Sequence, residues 1–486
     1  MPMRRCVGIL AALALLSVNA CSSSSLPGAR ETPDYIRDLI SLPAARAMYL
    51  SPPLWPGYTW QNRDTYYADP ELMIARLVKS VPQQSSYPFS VEEFPYADLP
   101  PAMLAQIRAG RFWINTLRGR QAGAVSCSRQ KDPRDIVALM IHEAFHTWGQ
   151  DDTWAIRHVS EDLASRRGAA YPIHVKPRFY RRKIIKELFT ALTVRDPYAL
   201  NHAAFWQDRL KDCEECGDEE CRDEGKWTYY MDILEGTAKY VELTGLASGF
   251  ADPAGGPAEK DSYLLDYLVG YYNEQWAWEP YRKLDPLAFT IIKDMESYAL
   301  GPLAGILMDQ RGPADWKRRV QDGERPLDVL LEGVSPFAAA DDPDLMAQMK
   351  EKIDESNKAL EPELAAFLDE GRWQDFFWIR CPAQLLGGYL SPAGFVNAAG
   401  RDGGVRSFFL FLQAESQDQR VLFKGMTAEM EHETSSFVAT VPPSEVLYDP
   451  VAGIVSVNDE KLMVQDIPCT RNQDPDGRWW FTLSEP

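Results

Sequence analysis

Hydrophobic and polar positions change their spacing along the chain, which predicts a helical middle and a β-rich end. From Asp132 to about Trp373 apolar residues recur three or four positions apart, as in DPRDIVALMIHEAFHTW, RRKIIKELFTALTV and KWTYYMDILEGTAKYVELTG. That period is typical of helices with one buried face. From about residue 380 the apolar runs are short and separated by turn residues, as in SFFLFLQAES, SSFVATVP and RWWFTL, which predicts strands.

The region before the helices has a different residue composition. Residues from about 34 to 110 are rich in Pro, Tyr and Trp, and we expect short helical stretches between loops there. The stretch RFWINTLRGRQAGAVSC predicts one or two strands. We therefore expect an α+β fold of two domains. A mainly helical domain with a short N-terminal strand region spans 34–375, and a small β domain spans 376–486.

The first residues have the pattern of an export signal. Arg4 and Arg5 precede a short apolar run, VGILAALALLSV, which is too short to span a membrane. The run ends at Cys21, and in this it resembles a bacterial lipoprotein signal, in which that cysteine carries lipid. We therefore expect a signal peptide at 1–20, a lipid anchor on Cys21, a flexible tether at 21–33 and a location in the bacterial envelope, at the outer membrane or in the periplasm. The alternative is a cleaved signal with Cys21 as an ordinary thiol.

The charge of the chain argues against one class of partner. The formal net charge is −19, and removal of the signal takes away two arginines and no acid. So acidic a surface disfavours nucleic acid as a partner. Its simplest consequence is solubility.

Six cysteines remain after Cys6 and Cys21 are set aside. An even number in an exported chain favours disulfides. Cys381 and Cys469 both lie in the C-terminal region, so we expect them to pair there. The cluster CEECGDEEC also has the C-x-x-C spacing of a zinc site, but an oxidising compartment favours disulfides.

The stretch HEAFH is the clearest candidate for a functional site in the sequence. On a helix, His142 and His146 share a face and can bind one ion, while Glu143 beside them can act on a water. Asp132 as N-cap and Pro133 as first residue predict where this helix begins. Two histidines and a glutamate would be costly to bury among apolar residues without a partner, and a zinc ion supplies one. We therefore expect one Zn²⁺ here.

A catalytic zinc needs a third protein ligand, and the sequence offers Asp152 as a local one. HEAFHTWGQDD fits the pattern HExxHxxGxxD, in which metzincin peptidases place a turning glycine where this chain has Gly149. Most metzincins end the pattern with histidine, and the chain resembles the small snapalysin-type peptidases in having aspartate. Met231 is the nearby candidate for the Met turn of that family. The simpler role for Gly149 is to end the helix.

The other candidate ligand is Glu235, in YMDILEGTAKYVE. Gly236 and Ala238 are small, which should let this helix approach the one that carries the two histidines. The insert between His146 and Glu235 is long, and its pattern predicts further helices.

The combination of HExxH, a helical insert, EGTAKY and ESYALGPLAGILMDQRGPADWKRRV is similar to a group of bacterial HExxH proteins, over roughly Ile136–Val320. Their E-G-x-A-x-Y helix is followed by an aromatic-Ala-x-Gly-Pro helix. The resemblance implies a gluzincin-like metallopeptidase site with Glu235 as third ligand. Lys239 departs from that pattern, because gluzincins often have an acid there that orients a histidine. Asp232 or Glu242 could serve instead.

These expectations combine into a zinc-dependent hydrolase of peptide or protein substrates, in which Glu143 activates a zinc-bound water. Tyr298 in SYALGP and Tyr240 in EGTAKY are candidates to stabilise the developing oxyanion. One alternative is an envelope interaction lipoprotein whose zinc is structural or inactive. Another is a zinc hydrolase of non-peptide amide bonds, such as those of cell-wall material. The sequence has neither a phosphate-binding loop nor a G-x-S-x-G motif.

Overall fold

Helices fill the middle of the chain and strands fill its C-terminal part, which confirms the α+β fold expected from the sequence. The computed structural model describes residues 40–158, 169–271, 292–368 and 375–484, with short gaps inside these ranges. The expected signal peptide, the tether and Cys21 lie outside the described residues, so what was expected of them stays a prediction.

Helices form where the sequence predicts them, and the helix Glu219–Phe250 is buried on every side from Met231 to Leu243. Asp132 caps the H-E-x-x-H helix, because its carboxylate accepts a hydrogen bond from the backbone N–H of Arg134 at 2.8 Å, and Pro133 is the first helical residue, as predicted. A π turn, Phe145–Gly149, extends this helix. The helices are α1 Leu42–Ala45, α2 Pro133–Ala144, α3 Val175–Thr193, α4 Ala199–Glu215, α5 Glu219–Phe250, α6 Gly256–Tyr271, α7 Ile292–Arg311, α8 Trp316–Gln321, α9 Pro326–Leu331 and α10 Pro343–Leu368.

A five-stranded sheet lies beside α2, in the order β3-β2-β1-β5-β4. Strands β1 and β5 are parallel and the other neighbours are antiparallel. The stretch RFWINTLRGRQAGAVSC, which predicts one or two strands, forms two, β4 and β5. The helical stretches expected before residue 110 are wrong where β1, β2 and β3 lie, because these strands depend on the pairing of β1 with the distant β5. The strands are β1 Asp64–Asp69, β2 Ile74–Ser80, β3 Phe89–Pro95, β4 Phe112–Leu117 and β5 Arg120–Ser126.

A larger sheet occupies the C-terminal part, in the order β12-β13-β14-β15-β7-β11-β10-β9-β8-β6. A further pairing of β10 with β14 closes five of these strands into a ring around an apolar core. The short apolar runs of the sequence thus form strands, as predicted. The strands are β6 Ala169–Tyr171, β7 Phe377–Pro382, β8 Tyr389–Ala399, β9 Val405–Glu415, β10 Val421–Glu431, β11 Ser436–Val441, β12 Val446–Asp449, β13 Ile454–Asn458, β14 Leu462–Gln473 and β15 Trp479–Leu483.

Two contacts between the helical and β-rich parts lie within the described residues. Strand β6 comes from the helical part and runs parallel to Val396–Ala398 of β8, at one end of the sheet. Leu364 and Phe367, near the end of α10, form a small core with Trp378 of β7. The domain boundary predicted at 375/376 falls between α10 and β7.

The disulfide expected between Cys381 and Cys469 is wrong, because both are free thiols. Cys469 of β14 pairs with Leu483 of β15, and one further step in the parallel register of β15 with β7 puts Leu483 beside Cys381. The two cysteines are therefore two strand spacings apart, about 9–10 Å, beyond the ~7 Å reach of a disulfide. Burial raises the pKa of the Cys381 thiol to about 12. Cys127 is likewise a buried thiol rather than half of a disulfide, whereas Cys213 is disulfide-bonded.

Candidate metal centre

Helix α2 places His142 and Glu143 in the interior of the protein. Every residue from Ile136 to Ala144 is buried, and His142 and Glu143 are only 3% and 2% exposed. His146 follows on the π turn, with 14% of its side chain exposed. The solvent side of this region is therefore at His146, one turn after the more deeply buried pair.

The π turn is packed by aromatic side chains from the Pro- and Trp-rich N-terminal segment. Trp55 packs on Phe145, with ring centroids 5.7 Å apart, and Trp60 packs edge-on against Trp148 at 5.2 Å. A Cβ on Gly149 would lie 2.1 Å from the Phe145 ring. Gly149 therefore ends the helix, the simpler of the two roles considered for it, and its lack of a side chain makes room for Phe145.

Glu235 lies in the middle of α5 and is 1% exposed. Gly236 was expected to let α5 approach α2, but its close neighbour is Gly301 of α7, whose added Cβ would lie 2.2 Å from Gly236. The glycine of α5 that lies close to α2 is Gly245, where a Cβ would lie 2.8 Å from Ile141. The expectation for Gly236 is therefore wrong, because that face of α5 packs on α7.

Two nitrogens and one oxygen form a nearly equilateral triangle where the π turn, α2 and α5 meet. His142 Nε2 and His146 Nε2 are 3.1 Å apart, and each is 3.2 Å from Glu235 Oε2. Tetrahedral ligands held about 2.0–2.1 Å from zinc stand roughly 3.3–3.4 Å apart. The donor set and its spacing therefore fit one zinc ion. Within the described residues, these three form the one His/Cys/Asp/Glu cluster of this kind.

The outer nitrogens of both imidazoles are also held. His142 Nδ1 is 3.1 Å from Glu242 Oε2, and His146 Nδ1 is 2.7 Å from Gln150 Oε1. Because both partners accept through oxygen, each Nδ1 carries a proton and each Nε2 faces the triangle. Lys239, which departs from the gluzincin pattern, is buried and donates to the second oxygen of Glu242. Of the two acids considered for orienting a histidine, Glu242 has that contact.

Asp232, the other acid considered for orienting a histidine, belongs instead to a buried network of ion pairs around Arg181. Arg181 donates to its two carboxylate oxygens at 2.6 and 3.0 Å, and Arg325 and Ser297 donate to it at 2.5 and 2.7 Å. Arg181 also donates to Glu296 at 2.6 Å. Burial alone would raise the pKa of Asp232, but the two arginines outweigh burial and hold it at about 2. The network ties α5 to α3 and α7.

Burial and neighbouring acids set the protonation of the two histidines in opposite directions. Burial alone would lower the pKa of His142, but Glu235 and Glu242 outweigh it and raise the pKa to about 9. For His146, burial outweighs the attraction of Glu235 and lowers the pKa. A metal ion that binds the triangle therefore competes with a proton on His142.

Two of the expected catalytic residues are close in sequence or in space to residues of the triangle. Glu143 follows His142 directly and precedes His146 by three positions, so it shares a side of the helix with His146. The ring of Tyr298, on α7, stands edge-on to the His142 imidazole with centroids 5.6 Å apart. Tyr298 is 5% exposed, so a polar aromatic side chain is part of the buried wall of the site.

The structure does not bring Tyr240 or Asp152 to the triangle. The Tyr240 hydroxyl donates to Asp309 at 2.5 Å, and its ring packs edge-on against Trp316. Asp152 is exposed in the turn that follows the π turn, whereas the cluster is buried. Met231 is buried inside α5 rather than in a turn, so the features of a metzincin site do not assemble here.

Gln150 is the contact that sequence reasoning missed. It closes the π turn four residues after His146 and is 1% exposed. The available signal was its spacing from His146, which matches the spacing of the two histidines. Because Gln150 stands at the end of the helix, its pattern is equally typical of a solvated cap.

No protein-family model, curated protein or solved structure matches this chain. The resemblance to gluzincin-like peptidases therefore stays a prediction that rests on the residues named above. Over the part of the chain that the structure describes, no helix is long and apolar enough to cross a membrane.

Proposed function

We propose that this protein is a zinc-dependent peptide-bond hydrolase anchored to the bacterial cell envelope. The observation that carries the proposal is the buried triangle of His142, His146 and Glu235, whose atoms are spaced as zinc ligands. A second buried acid, Glu143, directly follows His142 on α2. A structural zinc site has no use for such an acid, which favours catalysis over an interaction lipoprotein.

The proposed chemistry assigns a role to each residue around the triangle. A zinc ion bound there would act as a Lewis acid that polarises the scissile carbonyl and acidifies water. Glu143 accepts a proton from the attacking water as the water oxygen adds to the carbonyl carbon. It then delivers that proton to the amide nitrogen as the C–N bond breaks, which yields a carboxylic acid and an amine. Tyr298 is the donor we assign to the carbonyl oxygen as charge develops on it.

Glu143→Gln is the sharpest test, because it removes the base and keeps the size of the side chain. We expect wild-type zinc content and a loss of about 10²–10⁴-fold in hydrolysis of casein or of a fluorogenic peptide library. Glu235→Ala should lose the zinc, because it removes one corner of the triangle. Asp152→Ala is the matched acidic control and should keep both zinc and activity. Zinc is measured by mass spectrometry of the dialysed protein.

The possible results separate the proposal from its alternatives. Wild-type protein without zinc would refute the metal centre. If zinc binds but neither wild type nor Glu143→Gln cleaves any peptide, an interaction lipoprotein is favoured. Cleavage confined to amide bonds of cell-wall material would keep the mechanism and change the substrate class.

The envelope location in this proposal rests on the lipoprotein-like signal that ends at Cys21. Cys21→Ser should abolish incorporation of labelled palmitate and move the protein from the membrane fraction to the soluble fraction. Palmitate incorporation that survives this substitution would contradict the anchor, while leaving the metal centre untouched.

A further inference from the structure

Gln150 lies where the π turn meets α5. Its Oε1 is 2.7 Å from Nδ1 of His146, and its Nε2 donates to the carbonyl oxygen of Leu234 at 2.6 Å and to the hydroxyl oxygen of Thr237 at 2.8 Å. Leu234 directly precedes Glu235. One buried side chain therefore touches a histidine of the triangle and also the helix that carries the third corner of the triangle.

The neighbours of Gln150 allow one orientation of its amide. The Leu234 carbonyl can only accept, and Thr237 donates its own hydroxyl hydrogen to the carbonyl of Ile233 at 2.6 Å, so it also accepts from Gln150. The amide nitrogen must face these two acceptors, and the amide oxygen must face His146. Because that oxygen only accepts, the imidazole proton is held on Nδ1 and the lone pair stays on Nε2, toward the triangle.

The π turn brings Gln150 to this position. The backbone N–H of Gln150 donates to the carbonyl of Phe145, five residues earlier, at 2.8 Å. This bond spans five residues instead of the four of an α-helix, so the turn is wider than a turn of α2. On the other side, the carbonyl of Gly149 accepts from Trp154 Nε1 at 2.8 Å. Both polar groups of the peptide unit that joins Gly149 to Gln150 are therefore held by hydrogen bonds.

We propose that Gln150 is a positioning residue of the metal centre. It holds His146 in one tautomer and sets the spacing between the π turn and α5. This inference rests on the proposed zinc site. A carboxylate in its place could orient His146 but could not donate to α5, and it would add a buried charge to those of Glu143, Glu235 and Glu242. The neutral amide performs both tasks without that cost.

Gln150→Met in the full chain tests this role, because methionine keeps the length and volume but loses both polar ends. We expect zinc binding about 10–100-fold weaker than in the wild type, measured by competition with a chelator. Thr147→Ala is the matched control in the same π turn, because the Thr147 hydroxyl donates only to the backbone carbonyl of Glu143 at 3.1 Å. Its zinc dissociation constant should stay within about threefold of the wild type.

Imidazole ¹⁵N chemical shifts of the zinc-free protein give a second readout that needs no activity. His146 should be in the Nδ1–H tautomer in the wild type and in a mixture of tautomers in Gln150→Met. Thr237→Val removes one of the two acceptors of the amide and keeps the shape of the side chain. It should weaken zinc binding in the same direction as Gln150→Met, but by less.

Each result decides one of the two proposals. Wild-type zinc affinity in Gln150→Met, or an unchanged His146 tautomer, would overturn the role of Gln150 and leave the proposed hydrolase intact. Wild-type protein that binds no zinc would overturn the proposed function, and the tautomer would still decide whether Gln150 holds His146. If Gln150→Met does not fold, unchanged zinc affinity in Thr237→Val would overturn the inference.

Discussion

Gly301→Ala tests how closely α5 and α7 must pack behind the triangle. A Cβ at position 301 would lie 2.2 Å from the Cα, carbonyl carbon and oxygen of Gly236. These are backbone atoms, so no side chain can rotate to make room. Because ordinary contact begins at 3.4 Å, the two helices must separate by about 1.2 Å in a closely packed interior.

The same substitution at the facing glycine, Gly236→Ala, is a matched comparison where α5 crosses α7. Its Cβ would lie 3.0 Å from the Gly301 Cα and 3.1 Å from the carbonyl oxygen of Ser297, so the helices need to move by only about 0.4 Å. Gly270→Ala on α6 is the second control, because its Cβ would meet nothing within 4 Å. The three variants make the same chemical change in helices at decreasing steric cost.

The expected free energies of unfolding follow from two opposing effects. Overpacking of a core costs about 1–3 kcal/mol, and alanine is favoured over glycine within a helix by about 1 kcal/mol. Overpacking in Gly301→Ala should cost about 3 kcal/mol, the top of that range. The helix preference for alanine offsets about 1 kcal/mol, so the net loss in the free energy of unfolding is about 2 kcal/mol. Gly236→Ala should stay within about 1 kcal/mol of the wild type, and Gly270→Ala should gain up to about 1 kcal/mol.

Urea unfolding followed by circular dichroism, with a chelator present, measures these differences without contributions from metal. Equal losses in Gly301→Ala and Gly236→Ala would refute the reasoning, because the asymmetry of the crossing is what distinguishes them. A Gly301→Ala variant as stable as the wild type would also refute the reasoning. Tyr298 lies one turn before Gly301 on α7, so a folded Gly301→Ala should also lose peptide hydrolysis while it keeps its zinc.

Two further predictions concern buried charge. Burial, with nearby carboxylates adding to it, raises the pKa of Asp135 to about 6, so the folded protein holds this proton longer than the unfolded chain does. The stability of the wild type relative to Asp135→Asn should therefore fall as the pH rises from about 4 to about 6, which melting temperatures across that range would show, and a difference independent of pH would contradict it. Asp232→Asn leaves Arg181 and Arg325 buried without their shared carboxylate and should cost about 3–5 kcal/mol in urea unfolding. Asp354→Asn, from an exposed pair with Lys350, should cost less than about 0.5 kcal/mol, and equal losses would contradict the importance of burial.

The parts of the structure that follow from local rules were predictable from the sequence. Asp132 and Pro133 begin α2 because an oxygen cap and a fixed φ suit the first turn of any helix. His142 and His146 converge because a helix places residues four apart on one face. The approach of Glu235 to them does not follow from local rules, and the sequence alone left Glu235 and Asp152 both open as the third ligand.

The parts that depend on distant partners were not predictable. Strand β1 exists because it pairs with β5, and no local pattern in an aromatic-rich segment announces that pairing. Cys381 and Cys469 are kept apart by a single intervening strand, which their spacing in the sequence does not reveal. Tyr240 and Tyr298 have similar sequence settings, yet Asp309 engages one hydroxyl while the other ring stands beside His142.

Strand β6 makes the order of synthesis matter for this protein. Ala169–Tyr171 emerges long before Val396–Ala398, the segment with which it pairs. Until the last third of the chain has arrived, the backbone donors and acceptors that β6 and β8 later share must be satisfied by water or by other proteins. A chain cut after residue 375 would keep every residue of the triangle and still leave β6 without its neighbour. The folding of the larger, zinc-binding part of the chain is therefore completed only by the smaller C-terminal part.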